Sequence, residues 1–457
     1  MSIRRLSLAA VLAVAAAQAT GIETFYVASN TTNEVYRVTV FNSGMMGVAQ
    51  TISNANMVRP YGMAINYQGD LLVNGRGPCT ACPGGTLTRY HLTTCGPNGP
   101  DVATASGNGL ANPHGALAIG DLAYMVDTFG NRIVRYSLAT PGAPVFVGAD
   151  PTGAGGNGGR SLIFHPALGE VLMSDCCSLG GIRRYAINPD GSLTPRGTIT
   201  GNSMSTPHSF AIAPWGELFV ANITGNSVSR FTFNENGNAV PSGLITGNGL
   251  SGPVSAAFLA SGELMVLGHI NGVITRFNFD ANRNVIPVGS TTLPTGCGEM
   301  VVADRPASFA SAPATNSLCP ADTLSLTVVG GSPSFTYQWQ ILLQPNTWTN
   351  LTDGPRDLLA QVSGSTAGVL TLTGLTVNDA GTYRCIVTTT CGTESTSPSR
   401  VLLCQSDADC DSDSDSDDIA AFFGLWEAGE NAADVDGDGD TDSDDVIVFF
   451  SAFESGC

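Results

Sequence analysis

Short apolar runs recur along the first two thirds of the chain in one layout. A glycine and an acid precede a strand-length apolar run, a polar loop follows, and an apolar-x-Arg-aromatic segment ends the unit; GELFVANITGNSVSRFTF at 216–233 is the clearest copy. The closing segments elsewhere are EVYRV (34–38), TLTRY (86–90), RIVRY (132–136), GIRRY (181–185) and VITRF (273–277). Their arginines, Arg37, Arg89, Arg135, Arg184, Arg230 and Arg276, stand 52, 46, 49, 46 and 46 residues apart. Runs this short, bounded by Gly, Asn and Asp, predict strands. Several strands per period of about 46 residues predict the blades of a six-bladed β-propeller over 22–305. An arginine repeated in every blade is expected to join neighbouring blades, because a planar guanidinium suits buried pairing.

A further apolar strand precedes each unit after the first, as in PYGMAINYQG (60–69), PHGALAIGD (113–121) and PHSFAIAPWG (207–216). The first unit lacks one, and GCGEMVVAD (296–304) supplies the missing pattern after the sixth. That segment is expected to close the ring as the inner strand of blade one, which removes exposed sheet edges. The stretch YMVDTFGNRIVRY (124–136) resembles the NHL-type propeller repeat, a likeness that extends over 22–305. The resemblance implies a six-bladed fold and leaves function open, since such propellers host binding proteins, lactonases and lyases.

Function is expected where the repeat is broken. The first residues of the inner strands, Cys297, Tyr61, His114, Arg160, His208 and Val254, should approach the channel on one face. The loops after the second strands, with Pro78–Cys82 in blade two and Asp175-Cys176-Cys177 in blade four, should open there too, and Asp127, Asp175 and Asn222 end second strands nearby. His114, His208, Tyr61, Arg160 and Asp175 are therefore the candidate ligand-binding residues. Imidazole with carboxylate could hold Zn²⁺ or Ca²⁺. Propeller sugar lactonases and amidating lyases take metal ligands from such positions, but this chain has no three-His set to match them. The alternative is that Cys79–Cys82 and Cys176–Cys177 are local disulfides and the histidines are satisfied within turns. No G-x-S-x-G, H-E-x-x-H or phosphate-cradling glycine loop occurs, so no catalytic residue is assigned.

Residues 306–317, rich in Pro, Ala and Ser, read as a linker. Leu318–Leu403 then alternates as short strands, and TYQW (336–339) followed by DAGTYRC (379–385) resembles an immunoglobulin-like β-sandwich. The resemblance makes Trp339 the buried core tryptophan and Tyr383, two residues before Cys385, the tyrosine corner. The usual partner cysteine is missing, because Leu326 and Val328 occupy its place. Cys319 lies too early for that role and has Cys391 as a candidate partner. Such a sandwich reads as a spacer.

Charge changes the picture at the C-terminus. The 457-residue chain has a net charge of −19, and all 19 of its basic residues are Arg. Gln405–Cys457 holds 14 Asp, 3 Glu and no Arg, so the remainder is near neutral and offers no basic patch for nucleic acid. Within DVDGDGDTDSDD (434–445), Asp434, Asp436, Asp438, Asp440, Asp442 and Asp445 take positions 1, 3, 5, 7, 9 and 12 of a calcium loop, with Gly439 at the turn. Position 7 contributes its backbone carbonyl, so the Asp440 side chain is not expected to ligate directly. Asp407, Asp409, Asp411, Asp413, Asp415 and Asp418 repeat the spacing 27 residues earlier, with Ser412 where glycine is expected. Forcing a non-glycine residue to positive φ costs about 1 kcal/mol, so the first of the two Ca²⁺ sites should be the weaker. Apolar helices should follow, IAAFFGLWEAG (419–429) and VIVFFSAFESG (446–456), packing through Phe422, Phe423, Phe449 and Phe450. The paired loop-helix units resemble a type I dockerin, and the Ser-Gly-Cys terminus resembles the GC-type tails of exported, surface-anchored bacterial proteins, over 404–457. That resemblance implies a cohesin-like docking partner met through Ser416-Asp417 and Ser443-Asp444, and suggests a Cys404–Cys457 clasp.

At the N-terminus, Arg4 and Arg5 precede a short apolar run and Ala17-Gln18-Ala19 fits a cleavage site, so 1–19 reads as a secretory signal peptide. No other stretch is long enough to span a bilayer. The 12 cysteines of an exported chain favour disulfides. The expectation is thus a mostly β, multidomain protein: a six-bladed propeller, an immunoglobulin-like sandwich and a small α-helical calcium module. It would be a secreted or cell-surface protein whose propeller takes a glycan or protein ligand and whose tail docks it to a partner. The competing expectation is a metal-dependent propeller hydrolase or lyase acting on sugar lactones or polysaccharide.

Overall fold

The computed structural model describes residues 23–455 apart from 41–44, 54–56, 78–83, 91–101, 107–108, 154–157, 235, 270, 294–297, 303–308, 314, 319–322, 330, 332–334, 344–346, 357–359, 376–378, 390–391, 404–405, 410–413, 430–432, 434 and 436–440. Residues 1–19, expected to be a signal segment, and Cys79, Cys82, Cys297, Cys319, Cys391, Cys404, Cys410, Cys457, Ser412 and Gly439 lie outside the described residues, as do Asp411, Asp413, Asp434, Asp436, Asp438 and Asp440.

Six four-stranded antiparallel sheets form the propeller. Their inner strands, Pro60–Ile65, Pro113–Ile119, Gly159–His165, Pro207–Ile212, Pro253–Phe258 and Met300–Val302, follow one another around the channel. Met300–Val302 pairs antiparallel with Glu23–Ser29, so the end of the propeller completes its first blade. Across the same seam, Ser261 of blade six donates to Glu23 through its backbone N–H at 2.7 Å and its hydroxyl at 2.9 Å. The second strands, such as Leu122–Asp127 and Leu218–Asn222, are covered on both faces by adjacent blades. This is why they read as continuous apolar runs without alternation.

The repeated arginines join strand to strand and blade to blade. Arg89 pairs with Asp70, Arg184 with Glu170, Arg230 with Glu217 and Arg276 with Glu263, each acid standing just before or at the start of its blade's second strand. Arg135 departs from the pattern and pairs with Asp150 on the outer strand. Arg89 also donates to the Thr140 carbonyl at 2.9 Å, Arg135 to Asp190 at 3.3 Å and Arg230 to Arg283 at 3.1 Å, each on the next blade.

Two further sheets share a core around Trp339, Leu326, Leu370, Leu372, Cys385 and Val387. Trp339 Nε1 donates to Ala367 O at 2.9 Å, and the Tyr383 hydroxyl donates to Asp379 O at 2.7 Å. Cys385 is a buried free thiol in the same core as Leu326 and Val328. The linker expectation needs correction. Ala310–Ala312 is a strand paired with Thr323–Val329, and Phe309 to Ala312 are buried. Small residues let this strand pack tightly against the propeller beside Ile119, Tyr124 and Leu193. Tyr67 adds an edge contact to Phe335, with ring centroids 4.6 Å apart. Tyr67 follows the far end of the inner strand that Tyr61 opens, so the two-sheet unit sits away from the mouth.

Helices α1 (Ser416–Ala428) and α2 (Ser443–Ser455) end the chain. They start three residues before the apolar runs, because Ser-Asp-Asp forms the first turn. Asp415 is the N-cap of α1, Asp418 completes a capping box, and Gly429 closes the helix in the left-handed region. Phe422 and Phe449 stack with centroids 4.1 Å apart, and Trp426 Nε1 donates to Asp442 O at 2.8 Å.

Candidate functional site

Five inner strands carry a register shift at their mouth end: Pro60/Met63, Pro113/Ala116, Gly159/Leu162, Pro207/Ser209 and Pro253/Ser255. A bulge turns the residue inside it out of the ladder and bends the strand. Tyr61, His114, Arg160, His208 and Val254 occupy these bulges. The next residue is Gly or Ser, which lets strands approach closely: a Cβ on Gly62 would meet the His114 carbonyl at 2.0 Å.

The bulges bring three rings together. Tyr61 lies 4.8 Å from His114 and 5.6 Å from His208 between centroids, and the two imidazoles are 6.2 Å apart. His208 Nδ1 lies 3.0 Å from the Val254 carbonyl, so it carries the proton and donates. Its Nε2, 2.9 Å from the Tyr61 hydroxyl, then accepts. Burial, with Arg160 nearby, pushes the His208 pKa down to about 3. His114 is 4% exposed, and neither of its ring nitrogens finds a partner among the described residues. Burial holds its pKa well below the usual range, reinforced by Arg76 and Arg160. A neutral imidazole has one donor and one acceptor, and here both are unsatisfied.

Two guanidinium groups flank the rings. Arg76 lies over the Tyr61 face at 4.7 Å and donates to Asn112 Oδ1 at 2.6 Å; burial lowers its pKa to about 10. Arg160 donates to Gly159 O at 3.1 Å and reaches Cys177 Sγ at 3.6 Å. Sequence patterning missed Arg76, which immediately follows its blade's second strand, Leu71–Gly75, one position outside the aligned repeat. Only its lateness relative to Asp127, Asp175 and Asn222 marked it out.

Asp175 acts on Arg160 through space but makes its hydrogen bonds within its own turn. Its carboxylate accepts from Ser178 N at 3.0 Å, Ser178 Oγ at 2.6 Å and Arg183 Nε at 2.8 Å. Burial alone would raise its pKa, but these bonds hold it below the usual value. Asp127 does the same for its own turn, accepting from Ala111 N at 2.8 Å and Arg132 Nε at 3.0 Å. Second-strand carboxylates thus tie down their loops. No set of three metal-ligating side chains is assembled at the mouth among the described residues. Two neutral imidazoles beside two guanidinium groups, with Arg59 and His269 nearby and Asp175 opposing them, favour an anion over a divalent cation.

Below the mouth, a cavity of about 200 Å³ runs down the channel between Met63, Ala116, Phe210 and Ala256, with Glu299 on its wall. Glu299 is buried, and its Oε1 has no partner among the described residues. Burial raises its pKa to about 8, against hydrogen bonds from Ser161 and the Met63 and Ala116 backbone. A raised folded-state value means this stability is full below the unfolded pKa near 4.5 and is lost as pH rises through about 8. Between pH 5 and 8, wild type should therefore lose on the order of a few kcal/mol relative to Glu299→Gln. Melting temperature against pH for both proteins checks this; parallel curves would refute it.

In the tail, Asp407, Asp409 and Asp418 each place an oxygen within 4.8 Å of the others. Asp418 also accepts from Ala408 N at 2.7 Å, Asp409 N at 3.2 Å and Asp415 N at 2.7 Å. Asp445 repeats the role, accepting from Val435 N and Asp442 N, both at 2.8 Å. Asp415 and Asp442 cap their helices by accepting from Asp417 N and Asp444 N. An all-oxygen donor set of this kind fits Ca²⁺.

No protein-family model matches the chain, and no curated protein matches it. Among solved structures, a periplasmic gluconolactonase from Pseudomonas aeruginosa is 13% identical, with 78% of this chain and 100% of that chain covered and a TM-score of 0.44. A virginiamycin B lyase from Staphylococcus aureus, solved with quinupristin, is 14% identical over 69% and 94%, with a TM-score of 0.38. A Lactobacillus plantarum protein is 13% identical over 73% and 96%, with a TM-score of 0.47. Likeness at this level carries no functional weight; the propeller rests on its own sheet topology.

Proposed function

We propose that the propeller mouth binds an anionic, polyhydroxylated sugar acid, or the neutral lactone that opens to one. The observation that carries this reading is His114: buried, neutral, with both ring nitrogens unpartnered among the described residues and Arg76 and Arg160 close by. A hydroxyl can both accept from and donate to such an imidazole, and a carboxylate can pair with the guanidinium groups. Tyr61 donates to His208 and leaves its phenol oxygen to accept from a ligand hydroxyl. On a lactone, Tyr61 turned away from His208 can give its proton to the departing ring oxygen while the phenolate takes one from the attacking water, which gives the hydrolase alternative a proton donor. D-gluconate and D-glucono-δ-lactone, titrated calorimetrically, test the reading. Arg160→Gln and Arg76→Gln should each weaken gluconate binding about tenfold, as loss of a charged hydrogen bond does. Binding that ignores both substitutions, or no binding at all, sinks the proposal.

A second reading concerns delivery and is favoured by the clustering of Asp407, Asp409 and Asp418. In it the chain is exported, the two-sheet unit is an immunoglobulin-like spacer, and the tail is a dockerin-like module that binds Ca²⁺ and docks to a cohesin-like surface partner. The buried Trp339 and the Tyr383–Asp379 bond support the spacer assignment.

A further inference from the structure

We infer that the disulfide between the adjacent residues Cys176 and Cys177 keeps the Cys177 sulfur uncharged beside Arg160 at the mouth, and so couples anion affinity to thiol redox state. This rests on the anion-binding reading above and adds a regulator to it. The two sulfurs are bonded, in the turn that joins the second and third strands of blade four. The turn is anchored on both sides. Cys176 N donates to Gly158 O at 2.9 Å, and Asp175 accepts from the Ser178 backbone and hydroxyl and from Arg183. Cys176 is buried and Cys177 is exposed, so one sulfur is open to a reductant. The Arg160 guanidinium is held between the Gly159 carbonyl at 3.1 Å and Cys177 Sγ at 3.6 Å.

A dithiol reductant would cleave the S–S bond by exchange. Two electrons and two protons pass to Cys176 and Cys177, and the reductant becomes a disulfide. The released Cys177 thiol then lies beside a guanidinium, which favours its thiolate. Asp175 opposes that ionisation, but its charge is engaged by Arg183. A thiolate on Arg160 neutralises the charge that the ligand's carboxylate needs and competes for the same donors. The oxidised mouth is the binding form and the reduced mouth the weak one.

The test uses the full chain. Gluconate affinity is measured before and after reduction by dithiothreitol, for wild type and for Cys176→Ala/Cys177→Ala. Reduction should weaken wild-type binding about tenfold, the scale of one charged contact, and leave the double variant unchanged. Equal wild-type affinity in both states overturns the coupling, as does an equal loss in the double variant, which would assign the effect to other disulfides. A second measurement does not depend on gluconate. Peptide-mapped alkylation of Cys177 by iodoacetamide is compared between Cys176→Ala and Cys176→Ala/Arg160→Gln. The rate should fall about fivefold without the guanidinium; equal rates overturn the coupling even if gluconate never binds. Failure of gluconate to bind with the alkylation difference intact sinks only the anion-site reading.

Discussion

Arg230→Ala is expected to cost the propeller about 3–5 kcal/mol, the scale of leaving a buried charge without its partner. Arg230 donates to both oxygens of Glu217 at 2.9 Å and to the Arg283 carbonyl of blade six at 3.1 Å. Its guanidinium also lies 5.2 Å from the Phe219 ring centroid and 5.6 Å from that of Phe279. Burial alone would push the Glu217 carboxyl up, but Arg230, Ser242 and Trp215 hold it below its usual value. A depressed folded-state pKa contributes stability that is present above the unfolded value and lost as pH falls through the folded one. In the variant the carboxyl keeps its burial and loses its cation, so its pKa rises and protonation relieves the penalty. The defect should therefore be largest near neutrality and shrink toward pH 4–5, where the unfolded carboxyl also titrates. Urea unfolding at neutral and acid pH measures this. A defect that is constant with pH would mean that the lost packing on Phe219 and Phe279, and not the orphaned carboxylate, sets the cost.

The same arginines explain why the propeller was legible in the sequence. Four blades pair an acid before or at the start of the second strand with an arginine on the third, so the period shows through otherwise divergent loops. Ring closure was legible for a related reason: blade one lacked an inner strand, and Met300–Val302 matched the gap. The mouth was legible only in part. Tyr61, His114 and His208 follow or precede turn residues at fixed strand positions, and the bulges bring them together. Asp175 shares the register but spends its carboxylate on its own turn, a choice that depends on Ser178 and Arg183 several residues on. Arg76 lies one residue outside the repeat, and Glu299 immediately precedes a strand recognised by its apolar residues, so neither stood out. The strand Ala310–Ala312 was read as linker because Ala, Ser and Pro resemble spacer sequence; what buries them is the shape of two surfaces meeting.

Removing divalent cation from the full chain should unfold the tail and leave the propeller intact. The tail has little to hold it otherwise. Among the described residues its buried core is Phe422, Ala433, Val435 and Phe449 with partly buried neighbours, and no Arg between 405 and 457 offsets its 17 acids. Asp407 and Asp418 are buried carboxylates within 4.8 Å of Asp409, an arrangement that self-repulsion opposes unless a cation fills it. Asp418 and Asp445 also join the start of each loop to the cap of the helix after it, so ion loss releases both ends together. Metal affinity in such modules is folding free energy. Hydrogen exchange at α1 and α2 should accelerate about a thousandfold or more with chelator, while the propeller's second strands stay protected. On adding calcium back, α2 should regain protection first. Under the calcium-module reading, Ser412 stands where the sequence pattern expects glycine, so the first site should be weaker by about 1 kcal/mol, roughly fivefold, and Ser412→Gly should bring the two helices' transitions together. Exchange in α1 and α2 that is identical with chelator and with calcium would show that the aromatic stack alone folds the tail and that its carboxylates serve some other end.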